Sequence, residues 1–194
     1  MKKIIINIGR QFGSGGKSVA NALGERLGIT VYDQELISRA AEKSGISPEL
    51  FSHSDEKKRS FNLSSIFDGM LNDGELFRIQ SETIKDIASS GSAIFVGRAS
   101  NYVLRDMDCL DVFIHAPQEV RVKRVMERQG ISADEAASLM EKKDTSRAEY
   151  YNFFTFGHWG KASDYDLCID SSILGVEGTA DFIIDFCRRT GMVE

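Results

Sequence analysis

Residues 13 to 18 read Gly-Ser-Gly-Gly-Lys-Ser, a combination of backbone freedom, one mobile cation and hydroxyl groups that suits a polyphosphate. Glycines let the chain curl until several N–H groups point inward, and a helix starting at the loop adds partial positive charge. Each such helix-end interaction contributes about 0.3–1 kcal/mol. In this reading Gly13, Ser14, Gly15, Gly16, Lys17 and Ser18 cradle a nucleoside triphosphate. Lys17 bridges the β- and γ-phosphates of ATP, and the Ser18 hydroxyl holds Mg²⁺. The pattern G-x-x-x-x-G-K-[ST] fits at Gly16-Lys17-Ser18, yet Gln11 stands where its first glycine belongs. Gly9 lies two residues too early, so the loop must begin differently from the usual one.

A loop of this kind needs a strand before it and a helix after it. Ile4-Ile5-Ile6-Asn7-Ile8 is a continuous apolar run that fits a buried parallel strand. A helix is predicted from about Gly16 to Leu27, with Val19, Ala20, Leu23 and Leu27 on one face and Gly28 just past its end. Ile29 to Tyr32 reads as a short strand. Residues 33–90 are polar and punctuated, and are expected to form inserted helices outside the core layers. Ala93–Val96, Leu110–Ile114 and Leu167–Asp170 are further strands. Glu119–Arg128, Ala133 to about Tyr150 and Gly178–Arg189 read as helices. The alternation predicts an α/β protein of P-loop NTPase type, a three-layer doubly wound parallel sheet. Ligands of such sheets lie beyond the carboxyl ends of the strands. Both Gly9-Arg10 and Gly97-Arg98 fall there.

The bulk numbers narrow the class. A chain of 194 residues suffices for one α/β domain with a full core. Its formal charge of -5 disfavours wholesale binding to nucleic acid or to an anionic membrane. Cys109, Cys168 and Cys187 are scattered through apolar stretches and read as reduced core thiols. The first apolar run is too short for a signal peptide, and none approaches the roughly 20 residues of a membrane span. The expectation is a cytoplasmic protein; nothing in the sequence fixes an oligomeric state. His53, His115 and His158 lack metal-ligand spacing, and Trp159 with Phe153, Phe154 and Phe156 reads as a packed aromatic segment.

The run from Gly9 to Lys17, Tyr32-Asp33 closing the second strand, and Val96-Gly97-Arg98 together resemble the cytidylate kinases. They resemble more closely the cytidylate-kinase-like relatives of those enzymes. Tyr150-Tyr151, Trp159 and Tyr165-Asp166-Leu167 extend the resemblance over nearly the whole chain. It implies one kinase domain over 1–194, with 33–90 a helical acceptor-binding insertion and 119–160 a helical lid region. It implies that Asp33 and Arg39 contact the acceptor, and that Arg98 grips the acceptor's phosphate. Arg121 and Arg124 would enter the lid, and Asp144 and Arg147 would form its Asp-x-x-Arg. The residues alone also permit a helix cap at Asp33, a solvated arginine at Arg39, and a helix ion pair at Asp144 and Arg147. They permit a solvated basic face at Arg121 and Arg124 too, the preferred reading for Arg128.

The activity implied is transfer of the γ-phosphoryl group of ATP, with Mg²⁺, to a nucleoside monophosphate such as CMP or dCMP. Lys17, Arg98, Arg121, Arg124, Asp144 and Arg147 would be the catalytic set, acting by positioning and charge neutralisation. The sequence departs from the cytidylate kinases at two single positions and one short run: Ala99 replaces an aspartate, Met140 a lid arginine, and Gln34-Glu35-Leu36 a small Ser/Thr-Gly-Ala run. Two other readings stay open, a kinase of another small metabolite and a nucleotide-binding regulatory module with little turnover.

Overall fold

Alternation along the first strand decides the architecture. Ile4, Ile6 and Ile8 are buried on one side of the sheet, and Ile5 on the other. In the computed structural model, which describes residues 3–33, 36–37 and 63–193, the elements run β1 (Ile5–Arg10), α1 (Gly16–Leu27) and β2 (Val31–Tyr32). Then follow α2 (Leu63–Ser90), β3 (Ala93–Val96), α3 (Ser100–Val103), β4 (Leu110–His115), α4 (Gln118–Gln129) and α5 (Ala133–Thr155). A 3₁₀ turn (Ala162–Asp164), β5 (Leu167–Asp170) and α6 (Ser171–Arg189) complete the chain. Arg39, His53 and the charged run at 55–59 lie outside the described residues.

All pairings are parallel, in the order β2-β3-β1-β4-β5. On one face Val19, Ala20 and Leu23 of α1 and Ala180, Ile183 and Cys187 of α6 cover β1, β3 and β4. On the other, Ile84 and Ala88 of α2 and Val103 and Leu104 pack on Ile5 and Phe95. The expected three-layer doubly wound α/β fold is therefore present. One expectation for 33–90 is not met: one face of the helix covering its end belongs to a core layer, with Ile84 and Ala88 buried against the sheet and Ile79 buried beyond them. Its apolar residues recur at helical spacing, but the polar residues Gln80 and Thr83 share the buried face, which masked the stripe.

Other differences have local causes. Helix α6 begins seven residues earlier than predicted, because the Asp170 side chain accepts the Ser172 N–H at 2.8 Å and caps it. Gly175, at φ 68° and ψ -174°, then kinks the helix and separates its first turn from the rest. Helix α5 runs on to Thr155, where Phe156 in a left-handed conformation ends it. Cys187 is buried and Cys109 partly so, but Cys168 is exposed on the edge strand β5 and is not a core thiol. Trp159 leaves the phenylalanines near it in sequence and packs edge-on against Phe113 at 5.5 Å, while Phe156 is almost fully exposed. Among the described residues no helix is long and apolar enough to cross a membrane.

Candidate active site

Helix α1 follows Gly15, a left-handed N-cap at φ 82° with no side chain capping the first turn. Its leading N–H groups are thus left for an anion, at the end of β1 where the loop was expected to hold phosphate. Lys17 projects into solvent and its Nζ lies 2.7 Å from Asp33 Oδ2. Asp33 also caps the next turn, its Oδ1 accepting the Leu36 N–H at 3.1 Å, so the capping reading of this residue is met. Ser18 is exposed in the first turn of α1. Ser14 differs from Lys17 and Ser18: it is buried, and its hydroxyl donates to the Gln11 carbonyl at 2.8 Å.

Gln11 explains how the loop begins without its usual glycine. Its N–H donates to the Ile114 carbonyl at 3.0 Å and its Oε1 accepts the Ala116 N–H at 3.3 Å. The side chain is therefore spent on fastening the loop to the end of β4.

Helices α4 and α5 brace the same loop. A capping box closes the start of α5, with Ser132 and Glu135 each accepting the other's backbone N–H. Two turns on, Asp144 accepts from the Phe12 N–H at 2.6 Å, from Arg121 at 2.6 Å and from Arg147 at 3.4 Å. Arg121 also donates to the Phe12 carbonyl, and Arg147 to the Arg10 carbonyl, each at 3.2 Å. Arg124 donates at 3.0 Å both to the Ser14 carbonyl and to the Ser171 hydroxyl. Arg121, Arg124 and Asp144 are thus brought together, but on the backbone of the loop. Arg128 stands 5.2 Å over the Phe12 ring, a contact its solvated-face reading did not foresee. Met140, where the resemblance places a lid arginine, is buried against Val125 and Ala136 and cannot reach a ligand.

Beside the loop, over the ends of β1 and β3, lies a cavity of about 270 Å³. Arg10, Arg98, Lys143 and Arg147 make it cationic, and Tyr150 and Trp159 add aromatic walls. Arg98 enters from a sharp turn in which Gly97, Arg98 and Ala99 are all left-handed, at φ 78°, 59° and 52°. For Arg98 and Ala99 such backbone costs on the order of 1–3 kcal/mol each, a kind of strain that clusters at functional sites. The Arg98 guanidinium rests 5.0 Å from the Tyr150 ring centroid. Tyr150 in turn donates to Gln80 of α2 at 3.2 Å, and Phe77 stacks on Phe154 at 4.2 Å, so α2 and α5 meet at the rim. Deeper in, Tyr151 accepts from Asn101 at 3.1 Å, and burial pushes the Tyr151 and Tyr165 hydroxyls up so that both stay neutral.

The sequence places Arg10 after Gly9 at a strand end, with no motif to give it a role. Burial, then the charges of Arg147 and Arg98, push its guanidinium down to about 9. Its equivalence to Arg98, each following a glycine at a strand's carboxyl end, was the available signal.

Residues 5–173 match the cytidylate kinase-like family. The chain belongs to the cytidylate kinase-like family. It is accordingly a kinase and phosphotransferase of the P-loop class. A cytidylate kinase of Methanopyrus kandleri is 29% identical to this family member over 87% of the chain and 85% of its own length. That of Pyrococcus horikoshii is 28% identical, covering 91% and 84%. A solved structure of a Eubacterium ventriosum protein superposes with a TM-score of 0.72 at 30% identity, over 95% of this chain and 98% of that one. Shikimate kinase from Aquifex aeolicus, at 19% identity, 98% and 100% coverage and a TM-score of 0.51, shares the fold.

Proposed function

We propose that this family member transfers the γ-phosphoryl group of ATP to a nucleoside monophosphate, CMP or dCMP in the first instance. One observation carries the reading: a cationic, aromatic-walled cavity opens beside the phosphate loop, at the ends of β1 and β3. Donor and acceptor sites so arranged bring two phosphates together, and phosphoryl transfer asks chiefly for positioning and charge neutralisation.

The loop N–H groups at the start of α1 take the donor's phosphates, and Lys17 exchanges Asp33 for the β- and γ-phosphates. Arg98 and Arg147 face the acceptor's phosphate from two sides of the cavity. Tyr150 and Trp159 offer ring surfaces to its base. Arg121, Arg124 and Asp144 act by holding the loop backbone in shape. Magnesium sites of this class take few protein ligands and complete their shell with phosphate oxygens and water, so the lone Ser18 hydroxyl in an exposed first turn fits Mg²⁺. When bound, the ion offsets the charge of the transferring group. Asp33 and Arg39 remain the proposed contacts to the acceptor's sugar, base or phosphate.

Release of ADP, measured against a panel of nucleoside monophosphates and of alcohol-bearing metabolites, tests the reading. Turnover with CMP or dCMP is expected, lost in Lys17→Ala together with at least about tenfold in ATP affinity. Turnover only with an uncharged acceptor, or ATP binding without turnover on any acceptor, would overturn it.

A further inference from the structure

We infer that Arg10 is a catalytic residue of this cavity, a second guanidinium fork that, beside Arg98, binds the phosphate of the acceptor. The inference rests on the proposed function only in taking the acceptor to carry a phosphate.

The path of the side chain is the first reason. A Cβ built on Gly16 would lie 2.5 Å from Arg10 Cβ, and one on Gly97 would lie 1.9 Å from Arg10 Nη1. Arg10 therefore runs from the donor loop to the turn after β3, along a channel that two glycines leave open. Its tip ends among the residues lining the cavity.

The second reason is that, among the described residues, no acidic group is in direct contact with that tip, Asp33 and Asp144 acting on it only through space. Among the described residues the Arg10 guanidinium has neither a hydrogen bond nor an ion pair. The nearby carboxylates are engaged elsewhere, Asp33 with Lys17 and Asp144 with Phe12, Arg121 and Arg147. Arg98 and Arg147 instead add like charge, which with burial accounts for the lowered pKa of Arg10. An uncompensated guanidinium in a partly buried site is costly, and a bound anion offsets that cost. A planar fork suits a phosphate's oxygens bidentately, whereas a sugar hydroxyl leaves the charges unanswered. The third reason is the division of labour at the start of the loop: Gln11 fastens it to β4, and its neighbour Arg10 is free for ligand.

Inorganic phosphate, titrated calorimetrically while ADP saturates the donor loop, tests Arg10 without assuming any nucleotide acceptor. The wild type is expected to bind it. Arg10→Met should weaken phosphate at least about tenfold, the size of a lost charged hydrogen bond. Arg10→Lys should recover part of the loss, and ADP affinity should change less than about twofold in both, well inside one such bond. The inference is overturned if the wild type binds no phosphate, if Arg10→Met leaves its affinity unchanged, or if ADP affinity falls in proportion. With CMP as acceptor, Arg10→Met should raise KM for CMP and lower kcat while KM for ATP holds. Unchanged constants would also overturn it. Phosphate binding that depends on Arg10 in a protein inert towards CMP and dCMP would count against the nucleotide reading alone.

Discussion

Asp144 accepts from three donors at once, and two of them lie far from it in the chain. Its side chain and that of Arg121 are only 17% and 13% exposed, so the pair is mostly out of water. Breaking such a pair strands the partner's charge, and Asp144→Ala should cost about 3 kcal/mol. Urea unfolding monitored by fluorescence checks this. An unchanged midpoint would mean that the loop does not depend on the contact. The spacing of Asp144 and Arg147 made their ion pair legible in the sequence, yet that is the longest of the three contacts, at 3.4 Å. The 2.6 Å bond to the Phe12 N–H joins residues 132 positions apart, and no local pattern encodes it. The role of Arg10 is illegible in the sequence for a related reason. What gives it a role is a gap beside Gly97 in another strand's turn, and a gap has no signature along the sequence.

The elements were easier to foresee than their ends. Alternating isoleucines, a glycine-rich turn and apolar spacing of 3.6 specified β1 and α1 because both are decided by near neighbours. Helix α6 shows the limit: its first turn depends on Asp170 as cap, and Gly175 interrupts the periodicity that would have revealed it. The hydrogen bonds to Ser172 hold the Asp170 carboxyl below its ordinary pKa. A carboxylate depressed in this way stabilises the fold above its unfolded pKa of about 3.9 and loses that contribution as pH falls through its lower folded value. Asp170→Ala should therefore cost about 1 kcal/mol at neutral pH and progressively less in acid. Parallel thermal melts of the two proteins from pH 7 to pH 2 read the difference. A gap that stays constant with pH would show that the charge of the cap is irrelevant.

At the scale of the molecule, the chain divides its work between the two faces of one sheet. Helices α1 and α6 back the donor loop, while α2 covers the opposite face and reaches the cavity rim through Phe77 and Gln80. Burial of Ile84 and Ala88 makes α2 integral to the fold. Ile84→Ala is expected to lower the stability of the whole protein by about 3 kcal/mol, in one cooperative transition. A separate early transition, with the main one unmoved, would mean that α2 unfolds by itself. Sequence patterns captured the order of layers, since each strand carries its own run of apolar residues. They did not capture which helix touches the rim, because that contact is made by a few aromatic side chains on two distant elements.

The channel past Gly97 also has a consequence for descent. A methyl group at position 97 would stand 1.9 Å from the terminal nitrogen of Arg10, so any side chain there would push the guanidinium out of its present place. Relatives that keep arginine at the end of β1 should keep glycine after β3, whereas loss of the arginine would remove only one of two demands for that glycine, the left-handed turn being the other. Eighty-seven residues apart in the chain, the arginine thus depends on the glycine more than the glycine on the arginine.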